Sequence, residues 1–383
     1  MQNDFDVAVI GLGAMGSACL SQLAARGARV IGFEAAYPAH SRGSSHGDSR
    51  LIRLGYFEDP SYVPLLERAY RNWRQLEAQL RADILTITGV LQIGKPDSKI
   101  VSGTLASCRE YGLAHDLISP ADTALRFPAF TLQPDEVAVL DPQGGYLRPE
   151  DAINGYLKLA GEDGAVMHIG EKIVAIEPDD QGVNLISTHG RCRAAKVVVA
   201  TGPWISELVP ELKAIAQPIR QVVSWYQPLD GFRTLPGRMA SFLLDEDDDG
   251  SFFGFPAIGR DGVKVGRHCH FREPIDPDGV DQLPNAADAA LLDGFVARRL
   301  GGAVGARVRS TTCRYTMLPS EDFLIDFLPS DARIIVASPC SGHGFKFTSV
   351  VGEMLCEMAL DGDTQLPRHA FSFEALRRFM HRA

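Results

Sequence analysis

Cysteine pairing is the first thing this chain lacks. Its seven cysteines, Cys19, Cys108, Cys192, Cys269, Cys313, Cys340 and Cys356, are scattered without CxxC spacing, which argues against a zinc site or a disulfide framework. An odd count points to mostly buried thiols. Long apolar runs are also missing: none approaches the roughly 18 residues of a membrane span. Asn3, Asp4 and Asp6 stand where a signal peptide would be basic, so a cytoplasmic location and no membrane partner are expected. Positive charge is scarce too. A net charge of -10 argues against a nucleic-acid partner, because phosphate binding needs a basic face. The acidic run Asp245 to Asp249 precedes Gly250 and lies between apolar strands, so it reads as a solvated hairpin tip. No metal is expected.

What is present is an ordinary globular composition, with 45% apolar and 22% charged residues. At 383 residues the chain exceeds what one core usually serves, so two domains are expected. The most informative segment comes first. Asp6 to Ile10 reads as a short apolar strand running into Gly11-Leu12-Gly13-Ala14-Met15-Gly16, the glycine pattern that seats a dinucleotide pyrophosphate. Gly11 permits the tight turn, Gly13 lets backbone amides approach phosphate, and Gly16 lets the following helix pack closely on the strand. That helix reads Ala14 to Arg26 and stops at Gly27. A second strand, Arg29 to Phe33, ends at Glu34, where a carboxylate can hold ribose hydroxyls. Alone the glycine pattern is weak; strand, capped helix, second strand and terminal acid together point to an adenine dinucleotide.

Two more apolar strands resemble pieces of the same sheet: Lys196 to Thr201, ending at Gly202 and Pro203, and Arg333 to Ala337. Residues 86–145 and 217–314 instead alternate apolar and polar residues with frequent Gly and Pro, as in Gln221 to Gln227 and Gly262 to His268. The expected fold class is therefore α/β: a discontinuous Rossmann-type domain (1–85, 146–216 and 315–383) and an α+β substrate domain on a mostly antiparallel sheet (86–145 and 217–314). Interruption of this kind is commoner in flavoproteins than in nicotinamide enzymes. A helix is expected from Phe345 to Leu360, ended by Asp361-Gly362. Gly342, His343 and Gly344 would then sit at its positive end, suited to the anionic locus of a reduced flavin, although glycine-rich helix starts are often only turns.

Four segments, in order, carry a family likeness: Gly43 through Arg53, Gly262 through His268, Cys313 through Thr316, and Ser341 through Phe347. Over nearly its whole length the chain resembles the monomeric sarcosine oxidase and N-methyltryptophan oxidase group of flavin amine oxidases. The resemblance implies FAD bound through Gly11, Gly13, Met15, Gly16, Glu34, Ser44, Ile173, Gly342, His343 and Gly344. It also implies a thioether from Cys313 to the flavin 8-methyl carbon. Without it, a buried inert thiol is the better reading of Cys313, although Arg309 and Arg314 are cations that would favour a thiolate.

The resemblance further implies that Arg53 and Lys346 grip a substrate carboxylate, a task suited to a planar fork and a compact charge. Each alone could be a solvated surface charge. Lys346, however, reads as lying in the first turn of an apolar helix, where a cation opposes the dipole and needs a partner. Lys264 alternates with Val263 and Val265, so it projects to the opposite face; by resemblance it promotes the reaction of reduced flavin with oxygen. His46 and Arg50 match residues near the ring, and His268 and Tyr315 match residues on the substrate side. His268 could equally be a hydrogen-bonded core histidine and Tyr315 a packed aromatic.

Departures from the family pattern bear on the substrate. Ser45 and Leu54 replace histidines and Phe253 replaces a pocket tyrosine, so less polar groups are expected near the substrate; Cys340 stands where a bulky apolar residue is usual, so a different cavity shape beside the flavin is expected. The resulting expectation is an FAD-dependent oxidase of N-methyl or other secondary amino acids, with oxygen as acceptor, acting as a monomer. The alternatives are a flavin amine dehydrogenase, a subunit of a larger complex using another acceptor, or a non-enzymatic flavin binder. The last has no need for Lys264 or for the Arg53 and Lys346 pair.

Overall fold

The computed structural model describes residues 4–247, 250–259, 261–279 and 283–382. β-branched runs buried on both faces form the centre of the first sheet. Its parallel strands lie in the order Asp331–Ser338, Arg191–Val199, Phe5–Ile10, Val30–Glu34 and Val166–Ile169. Val7 pairs with Lys196 on one side and Val30 on the other. The expected strand at Lys196 begins earlier, because Arg191 to Ala194 pair with the antiparallel hairpin Ile173–Asp179 and Gly182–Ser187. The first helix, Ala14–Ala25, ends at Arg26, with Gly27 at φ +77°.

Close approach fixes this helix. A Cβ on Gly16 would lie 1.8 Å from the Gly11 carbonyl oxygen, and one on Gly352 would lie 2.6 Å from the Ala18 Cβ. The latter contact brings the helix Thr348–Asp361 alongside. That helix starts three residues later than the sequence suggests, because Phe345–Phe347 form a 3-10 turn. Lys346 therefore precedes the helix proper. Its apolar stripe is as expected: Val350, Val351, Met354, Leu355, Met358 and Ala359 are all buried.

The second sheet is built by period-two alternation. Its order is Val304–Met317, Gln217–Pro228, Val263–Arg267, Ser251–Phe255, Ser241–Asp245, Val90–Gly94, Val137–Asp141 and Asp116–Ile118. All neighbours are antiparallel except Ser241–Asp245 beside Val90–Gly94. One face packs on the helix Ala286–Arg299, where the Phe295 and Phe252 rings stack with centroids 4.1 Å apart. Burying each such ring contributes about 1.5 to 3 kcal/mol. Asp245 pairs with Ser251 across the acidic hairpin; Asp248 and Asp249 lie outside the described residues.

A third, antiparallel sheet is formed by Arg50–Ile52, Gly145–Leu147 and Leu85–Ile87 in that order. The strand Val304–Met317 runs unbroken through residue 315. Among the described residues no helix is long and apolar enough to cross a membrane. Nor does any group of three or more His, Cys, Asp or Glu there form a set that could hold a metal ion.

Candidate active site

A cavity of about 350 Å³ lies between the sheets. Its back wall is one face of the antiparallel sheet. Gln221, Val223, Leu243, Ser251, Phe253, Phe255, Lys264, Cys313 and Tyr315 line it from neighbouring strands, while Val222, Phe242, Phe252, Val263 and Val265 point into the core behind. Alternation thus separates Lys264 from both of its valine neighbours. The front wall comes from Met15 at the first helix, the segment holding Ser44, Ser45, His46, Arg50 and Arg53, and the turn Pro339 to Lys346.

The glycine turn adjoins this wall. Gly11 has φ +86°, and a Cβ there would lie 2.7 Å from the Ala200 carbonyl oxygen. A Cβ on Gly13 would meet nothing within 4 Å. The helix it opens has no side-chain cap, leaving its first amides for an anion. Glu34 is buried; its carboxylate accepts from the amides of Leu12 (3.0 Å) and Ala36 (2.9 Å), with His40 Nε2 at 3.3 Å. Burial would raise its pKa, but the His40 contact and these amides outweigh that and hold it below the usual carboxylate value. Ile173 is buried at the start of its strand, away from the cavity lining, in a core shared with Ile31 and Phe33.

Lys264 is 2% exposed. Its Nζ donates to the Gly47 carbonyl (2.6 Å), the Ser49 carbonyl (2.9 Å) and Ser49 Oγ (3.3 Å), matching three acceptors to an ammonium's three protons. Burial, reinforced by Arg50, pulls its pKa well below that of an ordinary lysine. Arg50 donates to the carbonyls of Ser49 (2.8 Å) and Ser44 (2.7 Å) and lies 3.9 Å from the Cys313 sulfur. Burial, then Arg50 and Lys264, push His46 down to about 3, so it is neutral, and its Nε2 has no partner.

Two expectations need correction. Arg309 does not serve Cys313: its guanidinium contacts Asp48 and Asp261 and lies over the Trp225 ring. Four residues along a strand is about 13 Å, so the same face does not mean contact. The cation in contact with Cys313 is Arg50. Leu54 also misses the cavity; it borders a separate groove with Tyr70 and Gln143, and its amide donates to Asp141 (2.6 Å). Ser45, Phe253 and Cys340 do line the cavity.

Arg53 and Lys346 meet at one end of it. Arg53 is 2% exposed and is gripped by both carboxylate oxygens of Glu58 (2.8 and 2.7 Å). Burial would raise the Glu58 pKa, yet Arg53, His343 and Lys346 together hold it at about 2. Lys346 Nζ donates to the His343 carbonyl (2.6 Å) and faces the Tyr56 and Phe347 rings. Burial first, then repulsion from Arg53, lowers its pKa to about 7. The partner its sequence position called for is thus a carbonyl oxygen. His343 sits beneath the pair: its Nε2–H donates to the Glu321 carbonyl (2.9 Å), so Nδ1 accepts from the Tyr56 hydroxyl (2.5 Å). Burial drops its pKa to about 4.

His268 and Tyr315 pack together with ring centroids 5.7 Å apart. Burial lowers the His268 pKa and raises that of Tyr315. Gly342, at φ +79°, lets the turn pass beside them; a Cβ there would lie 2.6 Å from Tyr315 Cε2 and 2.7 Å from His268 Cε1. Gly344 passes as closely to the Pro339 carbonyl. Sequence reasoning missed Glu58, Tyr56 and Gln221. Glu58 carried one usable signal, an acid five residues after Arg53.

The lining fits a flavin adenine dinucleotide. The uncapped glycine turn can take the pyrophosphate, and Ser44 Oγ, His46 Nε2 and Gln221 Oε1 are buried polar atoms without partners beside a cavity whose lining includes several aromatic side chains and the cations Arg50, Arg53, Lys264 and Lys346.

The family of FAD dependent oxidoreductases matches residues 6–358. A monomeric sarcosine oxidase from Streptomyces avermitilis is 36% identical over 372 residues, covering 96% of each chain. An N-methyl-L-tryptophan oxidase from Yersinia pestis is 35% identical over 377 residues, 98% of this chain and 100% of that protein. The fold is shared with NikD, an unusual amino acid oxidase essential for nikkomycin biosynthesis. It aligns with a TM-score of 0.84 at 23% identity over 97% of this chain and 98% of that one. An L-proline dehydrogenase from P. horikoshii aligns with a TM-score of 0.83 at 19% identity, over 100% and 99% of the chains. A glycine turn that can seat an adenine dinucleotide, a cavity fitted to a flavin, and identity over almost the full length agree: this chain belongs to the FAD-dependent oxidoreductases, in the group that contains monomeric sarcosine oxidase and N-methyl-L-tryptophan oxidase.

Proposed function

We propose that the protein oxidises the C–N bond of N-methyl or other secondary amino acids and passes the electrons to oxygen. The observation that carries this reading is the meeting of Arg53 and Lys346 at one end of a cavity whose other walls hold Lys264, His268 and Tyr315. Arg53 offers a planar guanidinium whose Nη2 is now held by Glu58, whose Nη1 donates to the Gly55 carbonyl (3.1 Å) and whose Nε has no partner, and Lys346 adds a compact charge with spare protons. A substrate carboxylate competes with Glu58 for this end, which fixes the distance of the amine from the cavity floor. Phe253, Phe255 and Phe57 exclude water around the reacting carbon. Neutral His268 and Tyr315 accept hydrogen bonds from the amine without adding charge.

When bound, FAD supplies the acceptance of a hydride equivalent from the carbon beside nitrogen and its delivery to oxygen as hydrogen peroxide. Water then cleaves the substrate imine; an N-methyl amino acid, oxygen and water give the demethylated amino acid, formaldehyde and hydrogen peroxide. FAD would be held by Gly11, Gly13, Met15, Gly16, Glu34, Ser44, Ile173 and the Gly342–Gly344 turn, and covalently by Cys313. Lys264 offers a fixed cation for the negative charge that appears when oxygen takes its first electron. The same reading assigns residues 1–85, 146–216 and 315–383 to an FAD-binding domain and the rest to a substrate domain, in a cytoplasmic monomer. Phe253, Ser45 and Cys340 favour an amine with more apolar bulk than sarcosine. Peroxide and formaldehyde release across sarcosine, N-methyl-L-tryptophan and cyclic secondary amino acids tests it. Turnover of primary amines alone, or none, would refute it.

A further inference from the structure

Behind His268 the backbone is strained where nothing in the proposed chemistry requires it. Cys269, His270 and Arg272 all have left-handed φ, at 55°, 31° and 53°, which non-glycine residues keep only when their surroundings over-determine it. The surroundings are specific. His270 is 3% exposed, and its Nε2 lies 2.8 Å from Asp288 Oδ1. Asp288, itself 1% exposed, takes both prongs of Arg220 (2.9 and 2.5 Å) and caps the helix Ala286–Arg299 by accepting from the Asn285 amide. Arg220 and Asp288 balance each other's charge, and burial keeps His270 neutral despite the pull of Asp288. Its Nε2–H must then be the donor, which leaves Nδ1 without a partner. The turn is closed from the other side by Arg267, whose guanidinium donates to the His270 carbonyl (2.9 Å).

We infer that His270, hydrogen-bonded to Asp288, is a positioning residue that sets where the His268 ring stands against the substrate. Only Cys269 separates the two histidines, and His268 has little room: Tyr315 packs on it, and Gly342 passes so close that a Cβ there would lie 2.7 Å from its Cε1. A turn released from Asp288 relaxes toward ordinary φ values and carries His268 with it. This rests on the proposed role of the cavity in binding a secondary amino acid, but the position of His268 can be read without turnover.

The test uses holoenzyme carrying His270→Phe, which fills the space and leaves Arg220 and Asp288 paired, and His270→Gln, whose amide nitrogen can reach Asp288 as Nε2 does. With 13Cε1-labelled histidine, the His268 resonance, assigned from His268→Asn, should shift in the Phe variant and return in the Gln variant. KM for N-methyl-L-tryptophan or sarcosine should rise about tenfold in the Phe variant, the worth of one well-made hydrogen bond, with kcat changed less than about twofold and Gln restoring it. If the Phe variant does not fold, His270→Asn, whose amide stops short of Asp288, gives the same reading. An unmoved His268 resonance in the variant lacking the contact, or a Gln variant as impaired as Phe, overturns the inference. A shifted resonance with no turnover of either amine would instead fault the proposed substrate and leave the positioning role standing.

Discussion

Replacing Lys346 by Met removes the one cation of the carboxylate clamp that titrates near neutrality. Its pKa of about 7 follows from burial and from Arg53, partly offset by Glu58. The neighbours do not blur the signal: Glu58 is ionised above about 2, and His343 is neutral above about 4. A carboxylate ligand stabilises the ammonium and raises its pKa, so binding takes up a proton whenever free Lys346 is neutral. Affinity therefore falls as pH rises through 7. With a free-state value near 7, the Kd of a simple carboxylate such as benzoate should increase about tenfold between roughly pH 6 and pH 8. At about pH 6 the Met variant should bind it more weakly by about 1.5 to 3 kcal/mol, the worth of a charge-assisted contact, and its Kd should be flat with pH. Titration followed by flavin absorbance reads both. A Met variant that keeps the wild-type pH slope refutes the reasoning, as does an equal loss for an amine lacking a carboxylate.

Lys264→Met should slow oxygen reoxidation of reduced enzyme by two to three powers of ten, from about 3 to 4 kcal/mol of lost electrostatic stabilisation, while anaerobic reduction by substrate changes little. Stopped-flow of the two half-reactions separates them, and an equal fall in both would assign Lys264 to structure. Cys313→Ser should release all its flavin into the supernatant on acid precipitation, whereas the native protein stays yellow; free flavin from freshly purified native holoenzyme would end the covalent assignment. Gly16→Ala places a Cβ 1.8 Å from the Gly11 carbonyl oxygen and should yield folded protein with almost no FAD, measured as the ratio of flavin to protein absorbance. Stoichiometric FAD in that variant would show that the helix does not pack as described.

Much of the scaffold was legible because it obeys short periods. Val7 to Ile10, Val197 to Val199 and Ile334 to Val336 are short β-branched-rich runs that fit a strand buried on both faces, and alternation alone sends Lys264 away from Val263 and Val265. What period cannot give is distance. Arg309 shares a face with Cys313 yet lies too far along the strand, while Arg50, 263 residues away in sequence, touches the sulfur. Leu54 follows the end of the strand Arg50–Ile52, where alternation no longer fixes direction, and it turns out of the cavity. Apolar composition places a helix start at Phe345, three residues before the helix begins, because the 3-10 turn Phe345–Phe347 carries the same apolar residues. Glu58 and Tyr56 lie in an aperiodic loop, and their roles depend on contacts with Arg53 and His343 that only the folded chain supplies.

The most direct test of the central claim is anaerobic reduction of the holoenzyme's flavin by N-methyl-L-tryptophan and sarcosine beside the corresponding amines that lack the carboxylate. The account predicts that the amino acids bleach the flavin, that the decarboxylated amines do so at least two powers of ten more slowly at equal concentration, and that admitted oxygen restores the colour with one hydrogen peroxide per turnover. Equal bleaching by both sets of amines, or no bleaching by any secondary amino acid, would contradict it.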